Sequence, residues 1–181
     1  MSIPNLVTLV RILLVPIVVW AITSGEMRIA FLLFLAAGVS DAIDGFLAKR
    51  FNMTSELGSY LDPLADKALI VSIYVSLGIA GKLPLFIVIL VVSRDIMIIG
   101  AFMLAWLVGK PMAARPLMVS KINTVAQILL ATLVLAEQGF GFDADLSSRL
   151  LMALVAVLTL LSIAFYLVEW VRHMNSFGGN H

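Results

Sequence analysis

The chain contains no cysteine, and it is poor in charged residues and in net charge. Without cysteine it has no disulfide bond, no thiolate metal ligand and no cysteine nucleophile. Charged residues make up 13% of its 181 residues, against about a quarter in soluble domains. A formal net charge of +1 gives a polyanion little to bind. These deficits exclude a soluble enzyme, a disordered chain and a nucleic-acid-binding protein.

Hydrophobic residues dominate the sequence instead, at 62% of the chain and a mean hydropathy of +1.10. An apolar helix of about 20 residues spans a bilayer, so the chain has room for roughly six or seven spans and no separate soluble domain. Long apolar runs occupy six segments: Ile3–Ile22, Ile29–Lys49, Ser59–Ala80, Leu83–Val108, Leu117–Ala136 and Leu150–Val171. We therefore predict an all-α, polytopic membrane protein with six transmembrane helices in one domain, residues 1–181.

Lysine and arginine between the runs predict how the chain is oriented in the membrane. One side would hold Lys49, Arg50, Lys110, Arg115, Lys121 and Arg172, and the other side Arg28, Lys82 and Arg149. The excess on the first side predicts that both termini are cytoplasmic. No long basic leader precedes the first run, so we expect a bacterial plasma membrane rather than an organelle.

Four aspartates interrupt the second and third apolar runs. Asp41 and Asp44 are three residues apart, and Asp62 and Asp66 are four apart, so each pair lies on one face of its helix. The segment between the runs is short, which makes the two helices antiparallel neighbours and places both pairs at similar depth. An ionised carboxylate at the bilayer centre costs about 2.5–3.5 kcal/mol, so all four need compensation.

Three kinds of compensation fit this spacing. Converging carboxylates suit two hard divalent cations such as Mg²⁺ or Mn²⁺. An ion-coupled carrier also uses carboxylates inside the membrane. Salt bridges within the bundle, with Lys49, Lys67 or Arg94, are the third possibility. Small residues beside the aspartates favour a ligand lying over metal ions, because they let it approach the helix closely. They are Gly45, Ala48 and Gly58.

The stretch from Asp41 to Asp66 resembles the signature D-x2-D-G-x2-A-R-x8-G-x3-D-x3-D of the CDP-alcohol phosphatidyltransferases. Seven of the eight fixed positions match. The exception is Lys49, where the family has arginine, and Arg50 follows it, so either residue is a candidate to hold a diphosphate. The opening segment, from Ile3 to Arg11, is also similar to the amino-terminal segment of the family.

This resemblance implies a six-helix membrane enzyme, a homodimer with its site facing the cytoplasm. Such an enzyme transfers a phosphatidyl group from CDP-diacylglycerol to an alcohol and releases CMP. By the family's pattern, Asp41, Asp44, Asp62 and Asp66 hold two divalent ions, and Asp66 is also the general base. The residues implied for CDP-diacylglycerol binding are Asn5, Thr8, Gly45, Ala48, Lys49 and Gly58.

The second half of the chain bears on the identity of the alcohol. The branch that makes phosphatidylglycerophosphate from glycerol 3-phosphate carries two further cations there, and this chain has Phe102 and Asn123 in their place. Losing two cations argues against a dianionic acceptor. The segments Ser93-Arg94-Asp95 and Ser120–Gln127 are similar to the CMP-forming cardiolipin synthases, whose acceptor is phosphatidylglycerol. We therefore predict a cardiolipin synthase. Phosphatidylglycerophosphate synthase is the second possibility, and the ion-coupled carrier is a distant alternative.

Three basic residues are the candidates to contact the acceptor phosphate: Arg94, Arg115 and Lys121. Each also has a simpler interpretation. Arg94 pairs with an interior carboxylate, and the other two are ordinary basic residues of a cytoplasmic loop. Asp95 directly follows Arg94, so we do not expect the two side chains to face one another on a helix.

Overall fold

A computed structural model describes residues 3–51, 56–107 and 118–176 of the chain. The side chains of residues 3–8, 42, 44–51, 56–64, 102, 105–106 and 173–176 lie outside this description. The described residues form six α-helices and no β-strand. The helices are α1 (Ile3–Thr23), α2 (Met27–Phe51), α3 (Glu56–Ile79), α4 (Leu85–Leu107), α5 (Met118–Phe140) and α6 (Asp145–Ser176).

The predicted all-helical architecture is confirmed over this part of the chain, and each helix coincides with one apolar run. Helix α6 departs most from its run, because it begins at Asp145 and ends at Ser176. Asp143 lies just before its start, and its carboxylate accepts the backbone N–H of Asp145 at 3.0 Å, which forms an Asx turn leading into the helix. Apolar runs therefore mark where a helix lies but not how far its polar ends continue.

Two of the described helices are long and apolar enough to cross a membrane, namely α5 and residues 145–172 of α6. Leu9–Thr23 of α1 is a shorter apolar helix of the same kind. The span count of six, the orientation of the chain and the cytoplasmic termini stay predictions. So does the single domain, since the chain divides into two compact units.

Unit 1 comprises residues 1–84 and 131–148. Within it, α1 packs against both α2 and α3. The buried face of α1 carries Val18, Ala21 and Ile22, whose spacing places them on one side of the helix. Gly25 ends α1 with a φ of 81°, a left-handed conformation that glycine adopts without strain. This turn brings α2 back along α1.

The start of α2 also contacts the end of α5 within unit 1. Arg28 Nε donates to the carbonyl oxygen of Gly139 at 2.5 Å, and its guanidinium lies 5.8 Å from the ring centroid of Phe140. Phe31 packs edge to face on Phe140, with 5.4 Å between ring centroids. The helices approach so closely that a Cβ atom on Gly139 would lie 3.0 Å from the backbone nitrogen of Arg28.

Replacing Gly139 with alanine is expected to destabilise the protein, because the new methyl group meets backbone atoms that cannot move aside. Overpacking of this kind costs about 1–3 kcal/mol, measurable as a lower melting temperature in detergent micelles. Gly100→Ala is the matched control, since nothing lies within 4 Å of its added Cβ. A Gly139→Ala protein as stable as the Gly100→Ala protein would contradict the close approach.

Unit 2 comprises residues 85–130 and 149–181. Its interior contains polar side chains as well as apolar ones. Asn123 and Gln127 are four residues apart on α5, and Thr159 and Ser162 are three apart on α6, so each pair shares a helix face. All four are buried. Burying polar groups of this kind costs free energy unless they are hydrogen-bonded, and the bonds of Asn123, Thr159 and Ser162 are described below.

Candidate active site

Asp41 on α2 and Asp66 on α3 meet at one side chain of α1, the guanidinium of Arg11. Arg11 Nη1 donates to Asp66 Oδ1 at 2.5 Å, and Arg11 Nη2 donates to Asp41 Oδ1. The Arg11 side chain is 4% exposed, whereas each carboxylate side chain is 44% exposed. The arginine is therefore buried beside two carboxylates that each keep nearly half of their surface accessible.

The helix spacing explains why Arg11 reaches both aspartates. Arg11 precedes Val18 by seven residues, or about two helical turns, so it lies on the same buried face of α1. That face packs against α2 and α3, which carry one aspartate each. A buried guanidinium is stable in such a place only because carboxylates compensate its charge. Sequence reasoning missed this pairing, although a lone arginine inside an apolar run was the available signal.

The other two predicted metal ligands lie one helical turn away along the same helices. Asp44 follows Asp41 in α2, and Asp62 precedes Asp66 in α3, but their side chains are outside the described part. Among the side chains that are described, no group of three or more Asp, Glu or His residues is arranged to hold a metal ion. The two carboxylates that are described fit a hard divalent cation in kind, since such ions prefer oxygen ligands.

The residues implied for CDP-diacylglycerol binding belong to the same three helices. Their backbone positions are helical, but their side chains are not among those described, so their contacts with a nucleotide stay predictions. Asn5 and Thr8 lie in α1, Gly45, Ala48 and Lys49 in α2, and Gly58 in α3. Arg115 lies in residues 108–117, outside the described chain. Lys121 is exposed in the first turn of α5.

Arg94 forms a second buried cluster, in unit 2. Its Nη1 donates to Asp95 Oδ1 at 2.6 Å, its Nε donates to Ser162 Oγ at 3.2 Å, and its Nη2 donates to Ser120 Oγ. The residue is 1% exposed. The expectation that Asp95 would not face Arg94 is wrong, because the long arginine side chain folds back to the carboxylate of the next residue. This pairing is the simpler of the two interpretations given for Arg94, and no observation tests its predicted contact with an acceptor.

Asn123 belongs to the buried interior of the same unit. Thr159 Oγ1 donates to Asn123 Oδ1 at 3.2 Å, so the amide joins α5 to α6. Its Nδ2 atom is buried and has no hydrogen-bond partner among the described residues. A buried neutral amide therefore occupies a position at which a cation was expected for the glycerol 3-phosphate branch.

Comparison with known proteins decides the family. The sequence profile of CDP-alcohol phosphatidyltransferases matches residues 1–168. The chain belongs to the CDP-alcohol phosphatidyltransferase family. Members of this family are membrane enzymes, which agrees with the two apolar helices long enough to span a bilayer. The family predicted from the aspartate signature is thus confirmed.

Among relatives, human cardiolipin synthase (CMP-forming) is 33% identical over 181 residues, covering 91% of this chain and 60% of the human protein. A rice chloroplastic CDP-diacylglycerol–glycerol-3-phosphate 3-phosphatidyltransferase is 34% identical over 160 residues, covering 79% of this chain and 49% of the rice protein. A probable phosphatidylglycerophosphate synthase of Mycobacterium tuberculosis is 33% identical over 101 residues, or 52% of this chain and 48% of that protein.

These CDP-alcohol phosphatidyltransferases are longer than the chain, which spans 60% of the human relative's length. Their names include both of the acceptor branches that the sequence suggested. The human, rat and rice proteins are eukaryotic and the mycobacterial protein is bacterial, so these relatives do not support the expected bacterial plasma membrane over another membrane.

Proposed function

We propose that the protein transfers the phosphatidyl group of CDP-diacylglycerol to a hydroxyl of phosphatidylglycerol, giving cardiolipin and CMP. The observation that carries this proposal is the meeting of Asp41 and Asp66 at Arg11. These aspartates are the first and last of the family signature, they come from different helices, and each keeps nearly half of its side-chain surface accessible. We further propose that the enzyme is a homodimer whose site faces the cytoplasm.

Asp41, Asp44, Asp62 and Asp66 are the residues that would hold two divalent ions, Mg²⁺ or Mn²⁺. Bound divalent ions supply positive charge that neutralises a diphosphate and stabilises the departing nucleotide phosphate. The convergence of the two described carboxylates supports this proposal, because oxygen donors from separate helices must meet before they can share a cation.

Asp66 is the residue that we propose as general base. The hydroxyl of the acceptor is a poor nucleophile until a base takes its proton. Asp66 accepts that proton while the hydroxyl oxygen bonds to the phosphorus that carries diacylglycerol. The bond from this phosphorus to the CMP oxygen breaks, and CMP leaves with the electron pair. Lys49 or Arg50 would hold the diphosphate during this exchange.

Two alcohols remain as candidates for the acceptor, phosphatidylglycerol and glycerol 3-phosphate. The human relative is named for cardiolipin synthesis, and the buried amide of Asn123 offers no cation to a phosphate monoester. In contrast, the rice and mycobacterial relatives are named for glycerol 3-phosphate transfer or phosphatidylglycerophosphate synthesis. Lys121, which is exposed, and Arg115 are the cations that we propose for the acceptor phosphate, with Arg94 supporting Ser120 beside Lys121.

Competition between the two acceptors tests the proposal. Purified protein in mixed micelles with CDP-diacylglycerol and Mn²⁺ receives phosphatidylglycerol and glycerol 3-phosphate at equal concentration, each with its own label. We expect cardiolipin to exceed phosphatidylglycerophosphate by at least about tenfold, a difference of about 1.4 kcal/mol in transition-state binding.

A chelator added in excess should abolish CMP release in the same assay, because the diphosphate charge would no longer be neutralised. Phosphatidylglycerophosphate as the main product would establish glycerol 3-phosphate as the acceptor. No CMP release with any alcohol would overturn the proposed reaction and favour the ion-coupled carrier over the enzyme.

A further inference from the structure

We infer that Arg11 is a positioning residue that fixes the Asp41 and Asp66 carboxylates and limits how tightly their site binds divalent cations. This inference rests on the metal site of the proposed function. It concerns a residue outside the aspartate signature, on a helix that contributes no acidic ligand. Its two parts, geometry and charge, follow from separate properties of the guanidinium.

The geometric part follows from the shape of the contact. One planar guanidinium gives one nitrogen to Asp41 on α2 and the other to Asp66 on α3. Because the fork is rigid, it sets the separation of two carboxylates that no covalent link holds together. Arg11 itself is 4% exposed, whereas each carboxylate side chain keeps 44% of its surface accessible while bonded to it.

The hydrogen bonds of Arg11 indicate that the carboxylates determine its position. Its Nε atom is buried and has no hydrogen-bond partner in the described part of the chain, whereas both terminal nitrogens are bonded to aspartates. A buried arginine that served only to join helices would gain stability by pairing all of its donors. Arg11 instead leaves its Nε atom unpaired, while each terminal nitrogen bonds to one of the two carboxylates.

The charge part follows from Coulomb's law. A divalent ion held by Asp41 and Asp66 would lie close to the Arg11 cation, and like charges repel strongly in a site that is partly shielded from water. Arg11 also competes with the ion for carboxylate oxygens. A neutral residue at this position should therefore tighten metal binding. It would also leave the Asp41 and Asp66 carboxylates less firmly positioned for catalysis.

Three variants of the full chain separate these effects. Arg11→Gln removes the charge and the fork, and Arg11→Lys keeps the charge but replaces the fork with a single ammonium group. Lys82→Gln is the matched control, since it removes one exposed positive charge beyond the end of α3 at Ile79, about 20 Å along that helix from Asp66. The measurements are Mn²⁺ affinity by electron paramagnetic resonance of the free ion, kcat, the KM for CDP-diacylglycerol, and Tm.

We expect Arg11→Gln to bind Mn²⁺ at least about fivefold more tightly than the wild type while its kcat falls at least about tenfold. Arg11→Lys should keep the wild-type Mn²⁺ affinity within about twofold, because the charge remains, and should still lose kcat because the fork is gone. Lys82→Gln should match the wild type in both measurements. A purely structural role predicts the opposite sign for the metal, since loosened ligands alone would weaken Mn²⁺ binding.

Unchanged or weaker Mn²⁺ binding by a folded Arg11→Gln protein would overturn the charge part, and a wild-type kcat in Arg11→Lys would overturn the geometric part. If Arg11→Gln does not fold, Arg11→Lys decides: altered Mn²⁺ affinity or an unaltered kcat contradicts the inference. A wild-type protein that binds no Mn²⁺ would remove the proposed metal site as well. Normal wild-type binding that Arg11→Gln fails to tighten would remove the inference alone.

Discussion

Replacing Asp66 with asparagine is expected to lower kcat by about 10³-fold, within the range by which a general base contributes to catalysis, and to leave CDP-diacylglycerol binding largely intact. Asparagine has nearly the shape of aspartate, and its oxygen can still accept the hydrogen bond that Arg11 Nη1 donates to Asp66. The amide cannot take a proton from the acceptor hydroxyl. The measurements are the rate of CMP release at saturating phosphatidylglycerol and the equilibrium binding of labelled CDP-diacylglycerol.

Asp143→Asn is the matched control for this substitution. Asp143 is exposed between α5 and α6, and its contact with the backbone N–H of Asp145 is one that an amide oxygen can also make. We expect wild-type kcat from this variant. Residual Asp66→Asn activity above about a tenth of the wild type, far more than loss of a base allows, would remove Asp66 as the base. Counting bound Mn²⁺ in Asp66→Asn separates its proton-transfer role from its role as a ligand.

The helices of this protein were predictable because each one satisfies its backbone hydrogen bonds within a single apolar run. Gly25 and Gly141 lie in two of the breaks between runs, and both adopt left-handed φ angles. The ends of α6 were not predictable in the same way. Asp145, Arg149 and Arg172 belong to that helix, although hydropathy places them at or beyond the edge of the apolar run.

The candidate site was predictable only as far as local spacing reaches. Spacing placed Asp41 and Asp66 on the inner faces of neighbouring helices, and the structure brings these two carboxylates together. Their partner, Arg11, is 30 and 55 residues away in sequence, and no helical period connects positions so far apart. The sequence analysis considered other cations as ion-pair partners of the aspartates, namely Lys49, Lys67 and Arg94. Only the packing of the helices decides which cation reaches a carboxylate.

Arg94→Met is the second substitution with a large expected effect, and it acts on stability. Asp95 is buried, and its carboxylate pairs with Arg94 at 2.6 Å. Removing one partner of a buried ion pair costs about 3–5 kcal/mol, whereas replacing both with apolar residues is often neutral. We expect Arg94→Met to lower Tm strongly in detergent micelles and Arg94→Met with Asp95→Leu to recover most of the loss.

Arg172→Met provides the control, because Arg172 is exposed near the end of α6 and surface substitutions change stability by about 0.5 kcal/mol or less.

The double variant then answers a question that the single variant cannot. When its stability is recovered, its KM for phosphatidylglycerol reports whether Arg94 also holds the acceptor. We expect that KM to stay within about threefold of the wild type, since the loss of a direct charged contact would raise it by tenfold or more. A tenfold rise of this KM in a stable double variant would show that Arg94 contacts the acceptor. An unstable double variant would show that the buried cluster also needs the hydrogen bonds from Arg94 to Ser120 and Ser162.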